Sequence, residues 1–372
     1  MVTATDVSAD LDALLALIAE EIQLPPSLDE KARERYEALT EYLESTELAR
    51  FPIAVYAQGS YRIGTTVKPL SGEEFDLDFV LELALPTLVT PGQLMEAVWS
   101  EIQRNGRYAG MIERRPSCIR LIYADEFHMD VVPAVPDRDH GGTAVLIPRD
   151  SRGVLVWHGT NPRGYAAWFE SKAERRMPTK EMAVEPLPRP IPAAEKTPLQ
   201  TAVQLYKRHH HVAVADEHLR TASVVLTTLT AQASGAARTL GEALSLLVED
   251  LRRFEKAEVP PVITNPAASH EVVSDKWADL SIFRVFRQHT VKLRRDWEEV
   301  LQLQGRDYPA LARKLSEMFG EPPVHRAFKA AESQRQAARA TGLLAMGSGG
   351  ILQIGSGTRP NPRHTYFGGG SE

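Results

Sequence analysis

Residues 58–83 read QGSYRIGTTVKPLSGEEFDLDFVLEL, and two features of this stretch indicate both the fold and the chemistry. The first feature is Gly59-Ser60, which follows a strand predicted at 52–57 and precedes a short helical turn. Glycine permits a close approach of the backbone, and a new helical turn presents free N–H groups to a phosphate. The hydroxyl of Ser60 adds one more donor, so this turn is a candidate phosphate-binding element.

The second feature is a pair of aspartates, Asp76 and Asp78, on a strand predicted to run from Asp76 to Leu83. Residues i and i+2 of a strand point to the same face, so the two carboxylates lie side by side. Their charges repel each other unless cations lie between them, and Mg²⁺ commonly bridges carboxylates and substrate phosphates. The alternative is that both aspartates simply face solvent on an edge strand.

A third aspartate, Asp130, lies in the segment FHMDVVPA on a different predicted strand. If the two strands are neighbours, Asp130 joins Asp76 and Asp78. Two metal ions about 4 Å apart can activate an attacking hydroxyl and stabilise a leaving pyrophosphate. Asp130 would help to deprotonate the hydroxyl, directly or through its metal. We therefore expect these three aspartates to hold two Mg²⁺ or Mn²⁺ ions.

Composition limits the class of protein and its partners. A chain of 372 residues allows two domains at about 150 residues each. No run of eighteen apolar residues occurs and the N-terminus lacks a signal-peptide pattern, so we expect a cytoplasmic protein without a membrane partner. A single cysteine, Cys118, excludes an internal disulfide. The net charge of −6 suits a small anionic substrate carried by metal ions better than a long polyanion.

The first half of the chain is predicted to be mixed α and β, and the second half helical. The residue patterns predict strands at 52–57, 76–83, 118–124, 127–133, 143–148 and 153–157. They predict helices at 8–23, from a capping box at Ser27 and Glu30, from Thr90, and at 198–211, 220–234, 237–256, 277–303, 308–319 and 323–342. A proline-rich stretch at 177–196 is expected to link or cross between lobes, and 257–276 to form an irregular loop.

Three consecutive histidines, His209, His210 and His211, fall on the helix predicted at 198–211. Adjacent residues of a helix point in different directions, so these side chains do not easily share one metal ion. We expect them to be partly exposed helix residues.

The motifs GSYRIGT and FDLDFVLEL resemble the core signature of the polymerase β-like nucleotidyltransferases. The closer resemblance is to the bacterial cGAS/DncV-like nucleotidyltransferases, which make cyclic oligonucleotide signals in anti-phage defence (CBASS). Four further segments are similar to this bacterial group: NPRGYAAWF at 161–169, TPLQTAVQLYKRHH at 197–210, TASVVLTTL at 221–229 and PNPRHTYFG near the end.

The resemblance implies a role for several residues. Gly59 and Ser60 match the turn that holds the donor triphosphate, and Asp76, Asp78 and Asp130 match the metal-binding carboxylates. Two residues of the second lobe also match.

Lys207 resembles a lysine that contacts the triphosphate, and Ser223 resembles the hydroxyl residue that follows it on the next helix. A solvated helix face is the alternative for Lys207, and a place in a helix N-cap region is the alternative for Ser223. Val224 stands where the family often has an aromatic residue, so the base-stacking residue stays unassigned.

The implied fold is α/β (α+β), a polymerase β-like core with a mixed sheet plus a C-terminal helical lobe. The expected domains are a nucleotidyltransferase core with N-terminal bracing helices at 1–180, a helical nucleotide-binding lobe at 181–342, and a flexible tail at 343–372.

The implied reaction condenses NTPs, with ATP the expected donor, into a cyclic di- or trinucleotide and releases pyrophosphate. Two alternatives stay open: a transferase that adds nucleotides to RNA or protein, and a non-catalytic nucleotide-binding protein of the same fold. One cysteine cannot build the zinc-binding insertion of animal cGAS, so direct activation by duplex DNA is not expected. The glycine-rich end suits either conjugation to defence-operon partners or a plain disordered tail.

Overall fold

The computed structural model describes residues 8–85, 89–124, 127–174 and 183–340, together with the backbone of three short strands, β10 to β12. These strands are Leu344–Met346, Leu352–Ile354 and Arg359–Pro360. The rest of the predicted tail, and with it the glycine-rich end, lies outside the described residues. No described helix combines the length and hydropathy that a membrane crossing requires.

A seven-stranded mixed sheet forms the centre of the first lobe. Its strands are β1 (Ile53–Ala57), β2 (Phe75–Leu83), β3 (Ile112–Arg114), β4 (Ile119–Tyr123), β5 (Phe127–Pro136), β6 (Val145–Ser151) and β7 (Val154–Thr160). The order is β1-β2-β5-β4-β3, with β6 paired to β5 and β7 paired to β6. β2 and β5 are parallel, and the other pairs are antiparallel. β1 pairs with β2 only at residues 79–83, so the segment with Asp76 and Asp78 pairs with β5 alone. Asp76 is exposed, as the edge-strand alternative expects, whereas Asp78 is half-buried.

Alternation along β2 places its apolar side chains in the core of this lobe. Leu77, Phe79 and Leu81 are fully buried together with Met129 and Val131 of β5. Helices α2 (Pro26–Glu44) and α4 (Pro91–Arg104) contribute to the same core. The residues between the buried ones in β2 include Asp76 and Asp78, so the period of two directs both carboxylates to the other face. A short helix, α3 (Gly59–Arg62), follows β1 directly.

The second lobe is a helical bundle with its own core. Its helices are α6 (Pro198–Ala213), α7 (Ser223–Ser234), α8 (Leu240–Glu255), α9 (Leu280–Leu303), α10 (Tyr308–Phe319) and α11 (Glu321–Ala340). The N-terminal helix α1 (Ala9–Glu21) packs into this core through Leu11, Leu15 and Ile18, whereas α2 packs on the sheet. Two helices that are consecutive in the chain therefore belong to different lobes.

The proline-rich stretch runs along the free edge of the sheet, as far as it is described. Val55 of β1 exchanges backbone hydrogen bonds with this segment: its N–H donates to Ala183 at 2.8 Å, and its carbonyl accepts from Glu185 at 2.8 Å. Leu187 is buried in the sheet core. The stretch is a packed crossing from one lobe to the other.

Three local predictions are wrong. Ser27 and Glu30 do not cap α2, because Pro26 occupies its first turn and the helix starts after Pro25 with no side-chain cap. The region 257–276 is not wholly irregular, since it contains a hairpin of β8 (Thr264–Asn265) and β9 (Ala268–Val272).

His209 and His210 of α6 are buried, so the prediction that they are partly exposed is wrong, whereas His211 is partly exposed as predicted. Most residues of α6 are buried, including polar ones, because α6 packs inside the helical lobe. His209 is hydrogen-bonded through Nδ1 to His289 Nε2 at 2.8 Å and through Nε2 to Asp296 Oδ2 at 3.1 Å. His210 Nε2 accepts from the backbone N–H of Thr221 at 3.1 Å.

Candidate active site

The pairing of three strands positions the aspartates. In the parallel β2–β5 register Asp78 lies opposite Asp130, and in the antiparallel β4–β5 register Asp130 lies opposite Arg120. Asp76 lies two residues before Asp78 on the same face of β2. Neighbouring strands are about 4.8 Å apart, so this register alone makes the three carboxylates near neighbours.

Arg120 is the cation that balances this group. Its Nε donates to Asp130 Oδ1 at 2.8 Å and its Nη2 to Asp130 Oδ2 at 2.7 Å, which is a bidentate pair. The same Nη2 lies 3.0 Å from Asp76 Oδ1. Arg120 was not predicted from the sequence, although an arginine between the apolar residues Ile119 and Leu121 of a predicted strand is a signal that could have indicated it.

The structure brings the three aspartates together only in part. Asp76 and Asp78 line a cavity of about 520 Å³, whereas Asp130 is almost fully buried against Arg120 and does not belong to the cavity wall. Asp130 is therefore adjacent to the pair in the sheet, but its carboxylate is engaged elsewhere.

Gly59 is required by the position of Asp78. Its φ of +62° lies in the left-handed region, which glycine adopts at little cost. A Cβ at Gly59 would also lie 2.8 Å from Asp78 Oδ2, closer than any real contact of that kind. The backbone of the turn and the carboxylate thus approach each other because no side chain stands between them.

The surroundings of Asp78 favour the protonated form of its carboxyl group, although Arg120 and Lys207 oppose this effect. Burial, followed by the charges of Asp130 and Asp76, raises the pKa of Asp78 to about 8. Burial also raises the pKa of Asp76, against the opposing effect of Arg120. A divalent cation bound by Asp76 and Asp78 would offset the repulsion between their charges, so this pair of carboxylates fits such an ion.

The far wall of the cavity comes from the helical lobe. Lys207 of α6 lines it and is only 5% exposed, so the solvated-face alternative is wrong. Its Nζ donates to Thr65 Oγ1 at 3.2 Å. Burial lowers the pKa of Lys207 to about 8 although the charge of Asp78 opposes this. A buried lysine of this kind gains its full charge when an anion enters the cavity.

Two hydroxyl groups complete the polar lining. Ser60 is the second residue of α3, and its Oγ lies 3.3 Å from Thr66 Oγ1. Ser223 is the first residue of α7, after the cap residue Ala222, so it lies in a helix start and also lines the cavity. Both predicted phosphate contacts therefore face the same space as Asp76 and Asp78.

Several wall residues were not predicted from the sequence. Tyr165 of α5 (Pro162–Lys172) and Glu271 of β9 both line the cavity. The oxygen Oε2 of Glu271 accepts from Asn265 Nδ2 at 2.6 Å and from Thr160 Oγ1 at 2.8 Å. The hairpin that carries Glu271 was expected to be irregular, so nothing in the sequence pattern directed it to the site.

Comparisons with known proteins agree with this geometry. Residues 10–173 match the family model of the Second Messenger Oligonucleotide or Dinucleotide Synthetase domain. A c-di-GMP synthase of Roseivirga ehrenbergii is 29% identical over 95% of this chain and 94% of its own length. The cyclic dinucleotide synthase CdnG of Bradyrhizobium diazoefficiens is 28% identical over 86% and 83%. The structure of that CdnG in complex with GTP aligns with a TM-score of 0.67, covering 87% of this chain and 99% of CdnG at 27% identity.

The mixed sheet with its paired carboxylates, closed by a helical lobe, defines an enzyme of the polymerase β-like nucleotidyltransferase fold. Over most of its length the chain is similar to bacterial synthases of cyclic dinucleotides, and it shares their fold.

Replacement of Gly59 by alanine tests the contact with Asp78. We expect Gly59→Ala to destabilise the fold by about 2–4 kcal/mol, because backbone strain adds to the clash with Oδ2. Gly72→Ala is the matched control, since Gly72 has a φ of +86° but no atom within 4 Å of a built Cβ. Urea denaturation measures both variants, and equal losses would show that the carboxylate does not constrain this position.

Replacement of Asp78 by asparagine tests its raised pKa. In EDTA the folded protein keeps the Asp78 proton up to about pH 8, whereas the unfolded chain loses it near pH 4. This contribution to stability is therefore present at low pH and is lost as the pH rises through 8. The Tm of Asp78→Asn should exceed that of the wild type by more at pH 9 than at pH 6. Asp10→Asn, at an exposed position of α1, should show no such trend.

Proposed function

We propose that this enzyme joins two nucleoside triphosphates into a cyclic dinucleotide, with metal ions held by Asp76, Asp78 and Asp130. The observation that carries the proposal is the position of Asp76 and Asp78 in one cavity wall beside the Gly59-Ser60 turn. A ribose hydroxyl of one nucleotide would attack the α-phosphate of another, and repetition would close the ring.

The residues at the cavity fit divalent cations, and we propose two ions of Mg²⁺ or Mn²⁺. Carboxylate oxygens are the ligands that such ions prefer, and an ion that replaces the Asp78 proton would also offset the repulsion from Asp130 and Asp76. When bound, the ions supply Lewis-acid stabilisation of charge on the reacting phosphate oxygens. Asp76 and Asp78 hold them at the wall, and Gly59 leaves the space that the Asp78 carboxylate occupies.

Asp130 would act on the proton of the attacking hydroxyl. Its carboxylate is held by the two hydrogen bonds from Arg120, which fix its plane. To reach the attacking hydroxyl in the cavity, the Asp130 carboxylate must give up one of its two hydrogen bonds from Arg120. Arg120 then continues to balance Asp76, so the group does not become fully uncompensated.

Lys207, Ser60 and Ser223 would bind the triphosphate. All three line the cavity, and they come from different lobes, so a bound triphosphate would join the lobes. Of these three residues Lys207 would contribute most to the binding free energy, because an anion beside its buried ammonium group offsets the cost of desolvation.

We propose GTP as a preferred substrate, in place of the ATP expected from the sequence. The support is that one relative is a c-di-GMP synthase and that CdnG forms a complex with GTP. On its Watson–Crick edge guanine presents two neighbouring donors, the N1–H and the 2-amino group. Adenine presents an acceptor, N1, beside a single donor, its 6-amino group. Glu271 adds a carboxylate to the cavity wall, which can accept from guanine.

The biological setting is also a proposal. Relatives that make cyclic dinucleotides support a role in second-messenger signalling in anti-phage defence, in the cytoplasm. Regulatory or conjugation partners would act through the tail at 343–372.

The reaction is tested by incubation of the purified protein with labelled GTP, ATP, CTP and UTP in Mg²⁺ or Mn²⁺. We expect a small phosphatase-resistant product, identified by mass spectrometry, and its loss by at least about 10³-fold in Asp76→Ala/Asp78→Ala. Equal product from the two proteins would overturn the mechanism. Labelled RNA or protein without a small product would instead identify a transferase to macromolecules.

Base selection is tested by competition between GTP and ATP at equal concentration. We expect Glu271→Gln to lower the preference for GTP by about tenfold, because a carboxylate is a stronger acceptor than an amide. Glu258→Gln, at an exposed position after α8, is the matched control and should keep the wild-type ratio. An unchanged ratio in Glu271→Gln would remove this residue from base recognition.

A further inference from the structure

A group of metal-ligating side chains lies away from the aspartates. Asp137 and His140 follow β5, and His270 lies on β9 of the hairpin. One ligand atom from each of the three lies within 4.8 Å of the other two. Asp137 is 3% exposed, whereas both histidines are exposed.

The donor atoms point into one shared space. The Oδ2 of Asp137 lies 2.7 Å from Nδ1 of His140, and the two imidazole rings are stacked with centroids 4.1 Å apart. A Cβ built on Gly159 of β7 would lie 2.6 Å from His270 Nε2 and 3.6 Å from Asp137 Oδ2. The absence of a side chain at Gly159 is thus what gives both donors access to this space.

Backbone groups fix the orientation of the carboxylate. The N–H groups of Asp139 and His140 donate to Asp137 Oδ1 at 3.0 and 3.2 Å. This leaves Oδ2 directed at the imidazoles. An outer partner that orients a ligand in this way is typical of metal sites.

We propose that Asp137, His140 and His270 form a Zn²⁺ site that fastens the β8–β9 hairpin to the sheet. Two imidazoles and one carboxylate are a donor set that Zn²⁺ favours, with a fourth position open to solvent. A bound ion would take the place of the direct contact between Asp137 Oδ2 and His140 Nδ1.

The location gives such an ion a consequence. Asp137 and His140 belong to the lobe of the sheet, and His270 adjoins Glu271, which lines the nucleotide cavity. A bound ion would connect the segment after β5 to the β8–β9 hairpin, and it would hold Glu271 in place in the cavity wall.

The test uses the full chain, stripped with EDTA, dialysed and titrated with Zn²⁺ alone against a chromophoric chelator. We expect one Zn²⁺ per chain, and binding at least about tenfold weaker in His270→Ala and in His140→Ala, because loss of even an outer partner typically costs that much. His325→Ala, an exposed histidine of α11, should bind as the wild type does. Circular dichroism checks that each variant is folded.

A second variant separates this site from the aspartates. Asp76→Ala/Asp78→Ala should keep its Zn²⁺, and loss of binding there would place the ion at the aspartates and overturn the proposal. Wild-type affinity in His270→Ala, or no binding by the wild type at 100-fold excess over chain, would overturn it as well. Hydrogen exchange should slow across residues 264–272 when Zn²⁺ is added, and unchanged exchange with Zn²⁺ bound would overturn the fastening role.

Discussion

The parallel pairing of β2 with β5 is the constraint on which the site depends. It places Asp78 opposite Asp130 without any contribution from loops, and it carries Arg120 to the same place through β4. A shift of one residue would send the aspartates into the apolar core and Leu77 into the cavity. The burial of Leu77, Phe79 and Met129 therefore fixes the register, and the register fixes the chemistry.

The group of carboxylates is arranged for function at a cost in stability. Asp78 is half-buried beside Asp130 and Asp76, and the absence of a side chain at Gly59 lets the carboxyl group approach the turn. Arg120 relieves only part of the repulsion, because its guanidinium faces Asp130 and Asp76 rather than Asp78. A cation that replaces the proton of Asp78 would relieve this repulsion, so the same feature that costs stability favours cation binding.

The sequence was sufficient to predict those elements whose conformation depends only on neighbouring residues. The alternation of β2, the helix start at Thr90 and the Gly59-Ser60 turn were predictable because sterics and hydrogen bonding act locally there. It was insufficient where burial depends on distant elements. His209 reads as a polar helix residue, and only the packing of α9 beside it shows that it is buried against His289. Arg120 and Glu271 were missed for the same reason, since their partners lie on other strands or in a hairpin too short to show a pattern.

The position of α1 has a consequence for how the chain reaches this fold. Its apolar side chains pack in one core with those of α8 and α11, although about three hundred positions separate α1 from α11 along the chain. Synthesis proceeds at about 5–20 residues per second, so the first helix must wait tens of seconds for its partner. During that time its leucine stripe stays open to solvent or to chaperones. The lobe that contains the sheet can fold early in synthesis. The helical lobe can fold only after α11 has been synthesised, so the cavity between the lobes forms late.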